Sequence, residues 1–507
     1  MKPDPVSNWS IKGRDVAHHA TRMGNLMAGF SGPESPHLQD LSVEVKATQN
    51  GRCEDKKREL HSLLAPSEFR EQGCRMVNYI ADYLESAHKL RVFPTVNPGY
   101  LARLIPKEAP EEPEPWSKIM EDVDRVIMPG ITHWQHPRFH AYFPSGTSCP
   151  SMCADILTNG FGCIGFTWAS SPVYTELEIV MMDWLARLLH LPEYFLSGGD
   201  GGGVIQGSCS EATLISLYGA RNRAISRYQD EHPGATVYEA ASKLVGYYSD
   251  QAHCSVERAG LISMLRLRRI RTTVSRQLDA NDLEASIKED VSNGYVPFFC
   301  VAALGTTGCC AFDSLKEIGP VCEKYDIWLH VDAAYAGSVF ICPEFLPMLE
   351  GVEYAMSFVF NPHKWLLTNF DCSCVWYKKT EWIVKSFCVN PTYLRYKDEG
   401  RMPDLRHIAL AHKFERLMLS DQRFEIVHKV TMGLVCFRIK GKNELTKKLY
   451  HDIEADGRIH LTPSEFHHPE EVYFIRFAVC HPEAEEAHIN YAFQVIQEIT
   501  DQLIPRP

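Results

Sequence analysis

Between Ser210 and Lys378 helix-like stretches alternate with short apolar runs, and this alternation restricts the fold more than any other feature. Helical spacing covers 210–228, 280–293 and 314–325. Apolar runs cover 243–249, 297–304, 327–331, 354–360 and 372–377. A run apolar at consecutive positions must be buried on both faces, as in a parallel sheet with helices on either side. The predicted core is therefore α/β, a doubly wound, mainly parallel sheet within a large domain spanning 146–403.

The flanks read differently. Residues 1–65 are polar and lack a period of either 2 or 3.6, as a poorly ordered leader would. Behind Pro66, residues Phe69, Met76, Ile80, Tyr83 and Leu84 recur at helical spacing, which predicts an amphipathic helix capped by Ser67. A proline-dense connector, 94–115, leads to a second predicted helix over 116–127, stopped by Pro129 and Gly130. Segment 66–145 thus reads as a helical arm suited to packing on a partner. Strands predicted at 424–430, 433–440 and 472–479, with helices at 443–455 and 482–503, make 404–507 a separate α+β lobe.

Charge and cysteine content narrow the function. The 507 residues hold 52 Lys and Arg against 64 Asp and Glu, a formal charge of −12, which argues against nucleic acid or an anionic membrane as partner. Seventeen cysteines without framework spacing predict reduced thiols and a cytoplasmic protein. The richest apolar window, 179–191, is broken by Asp183 and Arg187, so no bilayer span is predicted.

Ligands of open α/β sheets gather beyond the carboxyl ends of the strands, so the residues after each run are the candidates. Asp332 follows 327–331 in HVDAAYAG. A carboxylate there is costly unless a cation or several donors meet it, and the small residues after it admit a flat ligand; capping the next turn is the alternative. Lys364 follows 354–360 in NPHKW. An apolar setting would free its amine to attack a carbonyl, whereas most lysines are simply solvated. The run GGDGGGVIQGSCSEA, 198–212, enters a helix where Ser208, Cys209 and Ser210 can offer amides and hydroxyls to a phosphate; a flexible linker is the alternative. His253, after 243–249, is either a structural imidazole or a group facing a flat ligand. A phosphate cradle, a carboxylate, an imidazole and an amine at one sheet edge match the phosphate, pyridine nitrogen, flat ring and aldehyde of pyridoxal phosphate. Two rivals fare worse. Gly160, Gly162 and Gly165 spell G-x-G-x-x-G but follow helix-like sequence, and neither HExxH nor CxxC occurs.

The stretches NPHKW, HVDAAYAG, GVIQGSCSEAT, DQAHCSVERAG and ITHWQHPRFHAYFP resemble the group II pyridoxal-phosphate decarboxylases, nearest to the aromatic-L-amino-acid (dopa or tyrosine) type, from about Ser67 to the C terminus. The resemblance implies a fold-type I homodimer with its active site at the subunit interface. It implies a Schiff base on Lys364, Asp332 on the pyridine nitrogen and His253 stacked on the ring. Cys209, Ser210, Thr307 and Asn361 would complete cofactor binding, Cys209 standing where relatives often have Ala. Trp134, Phe143, Ser145, Ile164 and Phe166, with His253, would form the substrate pocket; core packing is the alternative for those five. Tyr393, on a mobile loop 389–401 reaching in from the neighbouring subunit, would return a proton to Cα.

The implied reaction is conversion of dopa, 5-hydroxytryptophan or tyrosine to its amine and CO₂, as in catecholamine synthesis. His363 favours aromatic over histidine decarboxylases, which usually have Ser there. His253 favours amine formation over the aldehyde-forming relatives, which tend to carry Asn. Histidine decarboxylation, aldehyde formation and an impaired member that dimerises without turnover are the other readings. Relatives continue past Leu405-Arg406-His407 with Trp-Gln-Ile-Pro and a further helix, about thirty residues in all. Here His407 runs directly into IALAHKFERLM, so a loss of apolar cover is predicted. Met356 and Val359 also replace residues usually polar, which predicts altered packing beside Lys364.

Overall fold

A computed structural model describes residues 66–165, 170–387, 405–430, 432–466, 470–480 and 484–504. The leader 1–65, Phe166, and Tyr393 with its loop 389–401 lie outside the described residues.

The arm begins with helix α1 (Pro66–Ser86). Pro66 takes the first helical position, where its fixed φ suits the turn and its missing N–H is no loss. Ser67 therefore lies inside the helix and does not cap it. None of its residues is fully buried, and Phe69 and Val77 are exposed. Helix α2 (Trp116–Asp122) is shorter than predicted, passing into a π turn at Val123–Ile127 and a 3-10 turn at Met128–Gly130. Pro129 has no N–H for the carbonyl four residues back, so the regular ladder cannot continue.

Helices α3 (Cys149–Phe161) and α4 (Pro172–Leu188) lead into the large lobe. Its seven strands are β1 (Gly202–Gln206), β2 (Leu244–Ser249), β3 (Arg266–Ile270), β4 (Val296–Ala303), β5 (Trp328–Asp332), β6 (Ser357–Phe360) and β7 (Ser373–Tyr377), in the order β1-β7-β6-β5-β4-β2-β3. Helix α5 (Cys209–Glu231) covers one face and α6 (Cys254–Ser263) follows β2. All neighbouring pairs are parallel except those made by β7, which runs against β6 and β1. The short link from β6 to β7 contains a single helical turn, Pro362–Trp365, and a parallel return would need a full crossover.

All five predicted strands are present, and β1 and β3 are additional. Both lie at the sheet edges, and neither carries an apolar run: β1 opens Gly-Gly and β3 reads RLRRI. Charged residues on an edge strand discourage pairing with another chain. The glycine run is thus only partly a loop, because Gly202–Gln206 pair with β7 and leave Gly207 and Ser208 to lead into α5.

Side chains alternate across the central strands. Trp328, Val359, Val375 and Tyr377 pack beneath α5, while Leu329, Val331, Phe358 and Trp376 pack on the opposite face with Met182 of α4. Val359, at a position usually polar in the family it resembles, is fully buried in the α5-facing core, and Met356 packs against that core.

The C-terminal lobe contains helix α7 (Leu405–Ser420), strands β8 (Phe424–Ile426) and β9 (Leu434–Ile439), helix α8 (Asn443–Asp456), strands β10 (Thr462–Phe466) and β11 (Val472–Ala478), and helix α9 (Glu486–Leu503). Its antiparallel sheet has the order β10-β11-β9-β8. The strand predicted at 424–430 shortens to three residues, and β10, which contains Pro463, is an edge strand that periodicity did not reveal. Helix α7 starts at the joint where relatives carry extra residues. Its Leu410, Ala411, Phe414 and Met418 are buried, with Phe414 stacked on Phe477 at 3.7 Å. Among the described residues of this lobe Leu419, Met432 and Tyr491 remain exposed. No described helix is long and apolar enough to cross a membrane, and the described cysteines are free thiols.

Candidate active site

The carboxyl ends of the parallel strands β2, β4, β5 and β6 converge on the edge where β1 hands over to α5. Asp332 is the last residue of β5 and is 8% exposed. Its Oδ1 accepts the Ala334 N–H at 3.0 Å, while among the described residues no donor meets Oδ2. A buried carboxylate with one open oxygen is expensive until a cation or donor arrives.

Helix α5 opens at Ser208, whose Oγ accepts the Glu211 N–H at 3.2 Å. Ser210, half-buried, lies in the first turn. Cys209 is buried, donates to Asn361 Oδ1 at 2.9 Å and accepts from Ser373 Oγ at 3.4 Å. Burial pushes its thiol far up. The Asp332 carboxylate adds to that shift and the Lys364 ammonium opposes it, so both charges act on this one sulfur.

Lys364 stands on the single turn after β6 and is half-buried. Asn361 fixes that turn, its N–H bonded to Ala334 O at 3.1 Å and its carbonyl accepting the Lys364 N–H at 3.0 Å. The Lys364 Nζ lies 5.5 Å from the Phe143 ring centre. Phe143 stacks on Tyr335 at 3.7 Å, and Tyr335 on Trp365 at 4.9 Å. His363 is buried and its Nδ1 accepts the Cys372 N–H at 2.9 Å. Burial, and then the neighbouring ammonium, pull its pKa down. The Gly146 N–H donates to His363 O at 2.5 Å, and a Cβ at Gly146 would stand 2.9 Å from Leu367 Cα. Glycine is what lets segment 143–146 approach the lysine turn so closely.

The other predicted residues are more open. His253 caps α6 and is exposed; its Nδ1 lies 2.8 Å from Ser255 Oγ and accepts the Ser255 N–H at 3.3 Å. Thr307 is exposed after β4, beside the buried Thr306, whose Oγ1 accepts the Ala311 N–H. Ser145 is half-buried. Trp134 stacks on Tyr142 at 5.6 Å and stays 40% exposed, and Ile164 is 64% exposed. The structure therefore gathers Lys364, Asp332, Asn361, Cys209 and Phe143, and leaves Trp134, Ile164, Thr307 and His253 facing outward.

Three participants escaped the sequence reading. Tyr335 and Trp365 sat inside the quoted motifs as unassigned aromatics, and alternation on β7 would have brought Ser373 under α5. Pyridoxal phosphate fits this edge. Asp332 would offer its open oxygen to a protonated ring nitrogen, the start of α5 its amides and Ser210 to a phosphate, and Lys364 its amine to the aldehyde.

Comparison with known proteins agrees. The pyridoxal-dependent decarboxylase conserved domain matches residues 98–411. Aromatic-L-amino-acid decarboxylase of Manduca sexta is 48% identical over 474 residues, covering 87% of this chain and 92% of its own length. The Cavia porcellus enzyme of that name is 47% identical over 475 residues, covering 86% and 98%. The aligned span of 474 positions takes in 87% of this chain's 507 residues, so the moth protein carries about 33 residues within that span that this chain lacks. Among solved structures, tryptophan decarboxylase of Catharanthus roseus in complex with L-tryptophan superposes with a TM-score of 0.62 at 36% identity, covering 87% of this chain and all of that one. The 4-hydroxyphenylacetaldehyde synthase of Rhodiola rosea also reaches 0.62, at 34% identity, covering 87% and 99%. On sequence, fold and site together, this chain belongs to the pyridoxal-dependent decarboxylases.

Proposed function

We propose that this chain removes CO₂ from an aromatic L-amino acid, dopa, 5-hydroxytryptophan or tyrosine, and releases the amine. The observation that carries the reading is the buried Asp332 carboxylate with an open oxygen at the end of β5, beside the strand whose following turn carries Lys364. When bound, pyridoxal phosphate supplies a sink for the electron pair left at Cα. Asp332 would hold a proton on the ring nitrogen, the amides of Ser208 to Ser210 and the Ser210 hydroxyl would bind the phosphate, and the Lys364 amine would meet the aldehyde. Thr307 and Asn361 complete the cofactor's surroundings.

His253, exposed and bonded to Ser255, would stack on the cofactor ring as the resemblance implies. Phe143, backed by Tyr335 and Trp365, would offer an aromatic wall to the substrate; by resemblance Trp134, Ser145, Ile164 and Phe166 belong to the same pocket. Tyr393 returns the proton to Cα.

The assembly we propose is a homodimer in the cytoplasm, with the site at the interface. Phe69 and Val77 of α1, Leu157 and Phe161 of α3 and Trp184 of α4 are exposed apolar groups that a second copy would cover. Supplying purified protein with L-dopa, 5-hydroxytryptophan, L-tyrosine and L-histidine in turn tests the reading. Equal amounts of amine and CO₂ are expected from at least one aromatic substrate and none from histidine. Aldehyde in place of amine would favour the chemistry named for the Rhodiola rosea protein, which His253 argues against. The missing 33 or so residues favour one second reading, an impaired subunit, and cofactor binding without CO₂ release would establish it.

A further inference from the structure

Helix α5 meets the sheet through apolar residues such as Leu217, Ala220 and Ala224, yet three polar side chains run down its buried face. Cys209, Thr213 and Ser216 stand at i, i+4 and i+7, the spacing of one helical face. Each meets a group from the sheet. Cys209 bonds Asn361 and Ser373, and Thr213 Oγ1 lies 3.3 Å from His330 Nε2. Ser216 Oγ lies 3.4 Å from the Tyr377 hydroxyl.

The middle contact extends furthest. His330 is fully buried, and its Nδ1 lies 2.8 Å from Ser357 Oγ, which also accepts the Trp328 indole N–H at 2.8 Å. Burial pulls the His330 pKa down to about 3, so the ring stays neutral, one nitrogen donating and the other accepting between two hydroxyls that can do either. His330 is two residues before Asp332 on the same face of β5, and Ser357 is paired with it on β6, four residues before Asn361. Thr213 is one turn into α5 from its phosphate-binding end.

We propose that His330 is a positioning residue that fixes how far along the sheet α5 sits, and so matches the distance from the helix start to Asp332 to the length of the cofactor. The inference rests on the reading that pyridoxal phosphate bridges those two points. Apolar contacts between a helix and a sheet tolerate sliding, whereas hydrogen bonds weaken steeply with distance and angle. Of the three polar contacts, that of His330 leads directly to the strand that ends in Asp332.

The test compares the affinities of the full-length apoprotein for pyridoxal phosphate and for pyridoxal, measured by equilibrium dialysis. Pyridoxal has the ring and aldehyde but no phosphate to reach α5. For His330→Leu and Thr213→Val, affinity for pyridoxal phosphate is expected to fall about tenfold, the scale of one lost hydrogen bond, with pyridoxal changed by less than about twofold. His330→Gln, which keeps a donor and an acceptor, is expected to recover most of the loss. Thr213→Val reads the same contact from the helix side should His330→Leu not fold. Equal losses for both ligands, or no loss for either, would overturn the proposal. A wild-type protein that takes up neither ligand would instead remove the cofactor reading, and the inference with it.

Discussion

Replacing Asp332 by Asn isolates the charge at the centre of the site. The amide keeps an oxygen for the Ala334 N–H, bonded at 3.0 Å in the native chain, so the loop after β5 is held as before. Only the negative charge that would face the ring nitrogen is lost. Unit charges about 3 Å apart at an effective dielectric near 20 attract by roughly 5 kcal/mol gross. Part of this is offset by the desolvation that Asp332 already bears at 8% exposure, leaving about 3 kcal/mol for the step in which charge flows into the ring. CO₂ release at saturating substrate is therefore expected to fall roughly 10²-fold, with cofactor still bound. Asp332→Ala, which leaves room beside the ring nitrogen, should regain activity with a cofactor methylated there, because that ring is permanently positive. An Asn variant with wild-type turnover, or no gain from the methylated cofactor, would refute the assignment.

Three further outcomes are expected. Gly146→Ala should weaken cofactor binding in a fluorescence titration, since its Cβ would stand 2.9 Å from Leu367 Cα and overpacking costs about 1–3 kcal/mol; unchanged binding would show that the lysine turn can yield. Arg423→Met should destabilise the C-terminal lobe by about 3–5 kcal/mol in urea unfolding, because Arg423 bonds Asp421, Asp501 and Ile504 O and its loss leaves a buried carboxylate unpaired. Arg423 also holds the Asp421 carboxyl down to about 2, below its unfolded value, so the stability this contributes is complete above roughly pH 4 and lost as the pH falls towards 2. Acid unfolding of Arg423→Met should show a smaller component, since Gln497 and the backbone N–H at position 423 still bond Asp421.

Legibility in the sequence followed burial. The five apolar runs became strands because residues such as Val331, Phe358 and Val375 are enclosed on both faces, which leaves an unbroken apolar signal. Strands β1 and β3 left none, since glycine and arginine serve at an edge where one side meets no partner strand. Asp332 and Lys364 stand out as candidates in the sequence because each follows a buried run, and the structure places both at the strand ends. The polar face of α5 was not legible, because Thr213 and Ser216 look like solvent-facing positions until the sheet supplies His330 and Tyr377. Trp134 and Ile164 belonged to a pocket only by resemblance, and within one chain they face outward.

Reduction of the cofactor-loaded protein with borohydride, followed by peptide mass mapping, bears most directly on the central claim that the Lys364 amine carries the aldehyde. The account predicts one added pyridoxyl phosphate group on the peptide containing Asn361 to Trp365, and none in Lys364→Ala. A group attached to a different lysine, or bound cofactor that borohydride fails to fix to the chain, would contradict it.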